Sequence, residues 1–197
     1  PLVGDGCLTA VGDKPRRYQV MGINLNTADG EMVMRNWKNY KTFRRRRSLR
    51  LPEFDYAQPY ACYHVIIGTY EAKPRFTKHE LNKSVIAVLK EIAQKFGYAV
   101  ITFCLMPDHL HLLVQAREGC QSLERFIGAF KNVTTRLYWR QGGERKLWQR
   151  GFYEHIVRQD EDLTTVSDYI MNNPVRAGLV EEPEQYPWLG QWDEPIV

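Results

Sequence analysis

The feature that most limits how this chain can fold is an apolar run broken at one point. Val100 to Met106 is almost wholly apolar, Pro107-Asp108 interrupts it, and Leu110 to Val114 resumes it. Proline fixes its own backbone angle and lacks a donor, and beside aspartate it marks a turn. The stretch therefore reads as strand, turn, strand. His109 and His111 fall in the second strand with Leu110 between them. Side chains alternate faces along a strand, so both histidines point one way while Leu110 and Leu112 point the other way into a core. Two imidazoles on one face of a rigid hairpin make a preformed two-nitrogen metal site. A purely structural or exposed pair is the plainer alternative. A structural zinc site needs four ligands with their own spacing. Cys7, Cys62, Cys104 and Cys120 form no C-x-x-C pair, which disfavours it.

The segments around this hairpin define its setting. Tyr63 to Thr69 is rich in β-branched and aromatic residues and reads as a first strand. His64 lies in it and is expected to be structural or peripheral. Thr77-Lys78-His79-Glu80 reads as a capping box with Thr77 as N-cap and His79 exposed. Leu81, Val85, Val88, Leu89, Ile92 and Phe96 then form a helical stripe that stops at Gly97. After the hairpin, Ser122 can cap a second helix with Leu123, Phe126, Ile127, Phe130, Val133 and Leu137 on one face, ended by Gly142-Gly143. Phe152 to Val157 reads as a short strand. Asp160, with Glu161 and Asp162 in the first turn, opens a third helix that Pro174 ends. Strand, helix, strand, strand, helix, strand is the order of a split βαβ, ferredoxin-like α+β fold. Its antiparallel sheet carries two helices on one face. The other face and the third helix remain to build a site.

A chain of 197 residues suits one domain with extra arms, or at most two small domains. Its organisation reads as a poorly ordered leader over 1–34, a basic arm and linker over 35–59, a compact domain over 60–180 and an acidic tail over 181–197. The chain starts at Pro1, and Met34 is a plausible initiator. The arm from Arg35 to Arg50 holds eight Lys or Arg and no acid; against the overall charge of +4, its +8 leaves −4 for the rest. Cations interleaved with Trp37, Tyr40 and Phe43 suit phosphate contact with base stacking, although a solvated tail has the same composition. No apolar run approaches membrane-spanning length, no signal pattern opens the chain, and scattered cysteines fit a reducing cytoplasm.

In the third helix Leu163, Val166 and Ile170 share a stripe, while Tyr169 shares another face with Asn172 and Asn173. A helical tyrosine is usually a core or anchoring residue. Beside a metal that polarises a phosphate, its hydroxyl can instead attack phosphorus. Histidine nitrogen with amide or carboxylate oxygen suits Mg²⁺ or Mn²⁺ bound together with a phosphate oxygen.

Three motifs now combine: Met106-Pro107-Asp108-His109-Leu110-His111-Leu112-Leu113, Trp148-Gln149-Arg150-Gly151-Phe152-Tyr153-Glu154-His155-Ile156-Val157-Arg158, and Asp168-Tyr169-Ile170 with Asn173-Pro174-Val175-Arg176-Ala177-Gly178-Leu179-Val180. The first resembles the HUH motif of single-tyrosine transposases. The set, over roughly residues 45–180, resembles the REP-associated tyrosine transposases. His-x-His alone is a weak signal; the three motifs in this order are a strong one.

The resemblance implies an HUH endonuclease fold, consistent with the order above. It implies that His109 and His111 hold Mg²⁺ or Mn²⁺, that Tyr169 is the nucleophile, and that Asn173, or Asn172 in its place, completes the metal site. The implied reaction is cleavage and rejoining of single-stranded DNA at palindromic repeat hairpins, through a 5′-phosphotyrosine intermediate. It implies DNA as partner, a site of action in the bacterial cytoplasm at the nucleoid, and a monomer. Arg44, Arg45, Arg46, Arg47 and Arg50 are placed to hold phosphates, Trp148 to stack on a base, and Arg158 or Arg176 to touch phosphate. Tyr153 competes for the nucleophile role, and His155 reads as scaffold. The alternatives are a descendant that binds DNA hairpins without cutting, and a water-using metal phosphoesterase in which Tyr169 is structural.

Overall fold

The structure is a computed structural model and describes residues 58–157 and 162–195. Five strands form one antiparallel sheet: β1 (Cys62–Gly68), β2 (Tyr98–Met106), β3 (His109–Ala116), β4 (Tyr153–Val157) and β5 (Leu189–Gln191), in the order β4-β1-β3-β2-β5. The first four strands stand in the ferredoxin-like order expected of this element sequence. Pro107 and Asp108 alone join β2 to β3, so Met106 faces His109 across the hairpin. The Pro107 carbonyl accepts from the amides of Arg75 and Phe76, and the Asp108 carbonyl accepts from Thr69 N–H at 2.8 Å. The turn is thus tied to the end of β1.

Helices α1 (His79–Phe96) and α2 (Leu123–Arg140) cover one sheet face. Their stripes, including Leu81, Val85, Leu89, Leu123, Phe126 and Phe130, enter a core with Tyr63, Val65, Ile67, Leu110, Leu112 and Val114. Burial in β1 alternates because its other face is less covered, whereas every residue of β2 is buried. A central strand sandwiched on both faces cannot show the alternation of a half-exposed one.

Several local expectations change. Helix α1 starts at His79 with Lys78 at its N-cap and no side-chain cap, so Thr77 and Glu80 do not form the capping box. In α2 the buried stripe drifts to Thr134 and Tyr138, while Val133 and Leu137 are only partly covered. Helix α3 (Leu163–Met171) is capped by Asp162, whose carboxylate accepts from Thr164 N–H at 2.8 Å; Asp160 and Glu161 lie outside the described residues. Pro174 does not end α3. It sits in the first turn of α4 (Asn173–Arg176), where a missing N–H costs nothing.

The acidic C-terminal stretch joins the sheet. Strand β5 pairs with β2, Trp188 O accepts from Leu105 N–H at 2.8 Å, and Tyr186 Oη donates to Leu105 O at 2.9 Å. Asp193 accepts from Val100 N–H at 2.8 Å and pairs with Arg117 at 3.2 Å. These contacts satisfy an edge that would otherwise present open backbone groups.

Candidate active site

Register carries four of the five histidines to the face opposite α1 and α2. Ile66 faces His111 and Gly68 faces His109 across β1 and β3, so these four positions share a face. His64, two residues before Ile66, lies on it too, and His155 faces His64 from β4. The result is a row, His155, His64, His111, His109, crossing three strands. Helix α3 lies over this face, fixed by a 2.6 Å hydrogen bond between Ser167 Oγ and Thr102 Oγ1 and by Gln191 Nε2 donating to Ser167 Oγ at 2.9 Å.

Both hairpin histidines have a partner on Nδ1 and direct Nε2 inward. His109 Nδ1 is 2.6 Å from Asp108 Oδ1; donation to that carboxylate leaves the lone pair on Nε2. His111 Nδ1 is 3.2 Å from His64 Nε2, and the two rings are stacked at 18°. The two Nε2 atoms are 3.0 Å apart. Without a cation, His111 Nε2–H can donate to His109 Nε2. With one, His111 takes the other tautomer and Nδ1–H donates to His64. Bonds of about 2.1 Å to two nitrogens at this separation enclose about 90°, the angle between neighbouring positions of an octahedral site.

The electrostatics match. Burial, followed by the neighbouring His109, His64 and Arg176, holds His111 well below the usual imidazole range. Burial and then His155 push His64 down to about 4. Neutral imidazoles keep their lone pairs for a ligand. Among the described residues no group of three or more His, Cys, Asp or Glu could hold a metal ion. The histidine pair thus fits an ion only if other oxygens, from an amide, water or phosphate, complete the shell, as Mg²⁺ and Mn²⁺ accept.

Tyr169 stands on the same face, 43% exposed, its ring edge-on to His64 at 5.9 Å and to His111 at 6.0 Å between centroids. The Arg176 guanidinium sits 4.6 Å from the Tyr169 ring centre. Asn173 lies one turn on; its Nδ2 donates to Tyr169 O at 2.8 Å, which leaves Oδ1 as its oxygen for a cation. Asn172 is exposed and donates to Asp168 O at 2.8 Å. Tyr153, facing Ile66 from β4, shares the sheet face but is half-buried at its far side.

Two readings need correction. Trp148 is not available to stack on a base: it is 5% exposed, packs against Phe76 and Phe130, and its indole N–H donates to Thr134 Oγ1 at 2.8 Å. It is an anchor, because a large ring with one donor is most stable where both are buried and satisfied. His64 is not peripheral: it touches His111 and faces Tyr169. Its signal was present in the order of elements, since β1 lies beside β3 in this fold and Tyr63, Val65 and Ile67 claim the core face. Arg44, Arg45, Arg46, Arg47, Arg50 and Arg158 lie outside the described residues. No helix among the described residues is long and apolar enough to cross a membrane.

The chain is similar to known proteins in sequence and in fold. The profile of the family described as "Transposase IS200 like" matches residues 58–173. A Haemophilus influenzae protein provisionally named a REP-associated tyrosine transposase is 32% identical over 112 residues, covering 50% of this chain and 62% of that protein. The REP-associated tyrosine transposase of Escherichia coli K12 is 26% identical over 91 residues, covering 46% of this chain and 53% of the relative. The matches thus span between half and two thirds of the relatives' lengths. A solved structure of a REP-associated tyrosine transposase bound to a REP hairpin superposes with a TM-score of 0.58 at 18% identity, covering 71% of this chain and 82% of that one. At that identity the likeness concerns the fold.

Proposed function

Because the chain belongs to the IS200-like transposase family, we propose that it cleaves and rejoins single-stranded DNA beside palindromic repeat hairpins, through a 5′-phosphate link to Tyr169. The observation that carries this reading is the placement of Tyr169, exposed and edge-on to His64 and His111, on the face where His109 and His111 converge. The hairpin-bound relative supports the choice of DNA partner.

In the proposed reaction Tyr169 Oη attacks the scissile phosphorus and loses its proton. The P–O3′ bond breaks, and the departing strand end takes up a proton as a 3′-OH. A 3′-OH attacking the phosphotyrosine reverses the exchange and rejoins DNA without an external energy source. His109 and His111, with Asn173 Oδ1, would hold Mg²⁺ or Mn²⁺. When bound, that ion supplies Lewis-acid stabilisation of charge on the phosphate. Asp108 and His64 orient the two imidazoles. Arg176 places a fixed positive charge against the tyrosine ring, where the phenol oxygen develops and loses charge. The chain acts as a monomer in this reading, with the basic arm and Arg158 on backbone phosphates.

Labelled single-stranded DNA carrying repeats that flank the gene, incubated with Mg²⁺ or Mn²⁺ and run on a denaturing gel, tests the proposal. A protein–DNA band lost in Tyr169→Phe is the expected result. Cleavage without the band identifies water as nucleophile, and hairpin binding without cleavage identifies a binding module.

A further inference from the structure

The Trp148-Gln149 pair carries a second role that the reaction above does not use. Trp148 is the buried anchor, its backbone bridged to Thr69. Gln149 is then held at both ends of its peptide: its N–H donates to Gly68 O at 2.9 Å, and its carbonyl accepts from Lys131 Nζ at 2.6 Å. Lys131 also donates to Gly151 O at 3.0 Å, which clamps the following turn. The Gln149 side chain lies across Gly68. A methyl group on Gly68 would overlap Gln149 Nε2 and lie 3.0 Å from its Cδ. Gly68 faces His109 in the β1–β3 register, and directly opposed side chains in such a pair start about 5 Å apart. The glycine thus opens a slot on the histidine face, and a carboxamide on a fixed backbone fills it. Gln149 is only half-buried, and its carboxamide makes no hydrogen bond to any described residue.

A neutral group with one acceptor and one donor side by side is poorly matched to phosphate, which accepts only and would leave Oε1 facing an anionic oxygen. It is well matched to the edge of an unpaired nucleobase, which offers a donor and an acceptor together. We propose that Gln149 determines specificity: its carboxamide pairs with the edge of the nucleobase next to the phosphate held at His109 and His111. The inference rests on the DNA-cleaving reading and adds to it the reader of a flanking nucleotide.

The test uses the full chain and single-stranded oligonucleotides carrying one repeat hairpin, with each of the four bases in turn at the two positions flanking the cut. Affinities are measured for the unaltered chain, Gln149→Ala, Gln149→Glu and Gly68→Ala. The unaltered chain should prefer one base at one position by about tenfold, as expected of a bidentate base contact. Gln149→Ala should weaken binding of that oligonucleotide alone, bringing the four bases level. Gln149→Glu, now acceptor only, should move the preference toward guanine, whose N1–H and N2–H donors are adjacent. Gly68→Ala displaces only the flexible end of Gln149, so it should level the bases while the melting temperature stays unchanged. An equal loss for all four bases in Gln149→Ala, or a base preference that survives both Gln149→Ala and Gly68→Ala, overturns the proposal. So does the absence of any preference in the unaltered chain. If the unaltered chain binds none of the oligonucleotides, the DNA reading itself fails along with it.

Discussion

Replacing Trp148 by alanine separates an anchoring role from a DNA-stacking one. The ring is 5% exposed between Phe76, at 5.0 Å, and Phe130, at 5.7 Å. Truncating a buried tryptophan costs about 3–5 kcal/mol in lost transfer energy and residual cavity. The indole hydrogen bond to Thr134 adds about 1 kcal/mol. Thr134 Oγ1 still donates to Phe130 O at 2.7 Å, so no stranded donor adds to the cost. For a protein of this length each kcal/mol shifts the melting temperature by about 2–4 °C. Trp148→Ala should therefore melt about 8–24 °C lower in a circular-dichroism scan. Trp148→Phe, which keeps most of the ring and loses the hydrogen bond, should fall by only a few degrees. DNA affinity measured well below the transition should change little with Trp148→Phe. An alanine variant that melts within about 2 °C of the parent yet binds DNA about tenfold more weakly, the loss expected of one stacked base, would refute the anchoring assignment.

Two other outcomes follow from charge. Replacing Arg44, Arg45, Arg46 and Arg47 by alanine should flatten the salt dependence of single-stranded DNA binding by about 0.7 logarithmic units per lost phosphate contact, and an unchanged slope would remove the arm from the DNA. His64 is neutral in the folded chain down to about 4, whereas an unfolded histidine takes up its proton near 6.5. Between those values the unfolded state binds more protons, so stability measured with chelator present should fall as pH drops through that window and level off below it, whereas a flat profile would show that His64 is not held neutral.

Much of the fold could be read along the chain because it is local. The break at Pro107-Asp108, the stripe from Leu81 to Phe96 and the β-branched and aromatic run of β1 each depend on neighbours within a few residues. So did the histidine pair, since a spacing of two on a strand sets a shared face whatever the strand pairs with. Tyr169 and the motif around it completed the family resemblance, from which the proposed reaction follows.

What tertiary structure decided was which surfaces meet. Only strand pairing could place His64 against His111, because their contact spans 47 residues and depends on β1 lying beside β3. Burial of β2 on both faces follows from α3 and the C-terminal stretch packing where the local pattern shows only an apolar run. Trp148 looks equally suited to a base or to a core, and the pocket between Phe76 and Phe130 settles which. Gln149 becomes a presented group only because Gly68, some eighty residues earlier, leaves room for it on the histidine face. Pattern and propensity act over one or two turns of chain, whereas a site is a set of distances between segments, and those are set by packing.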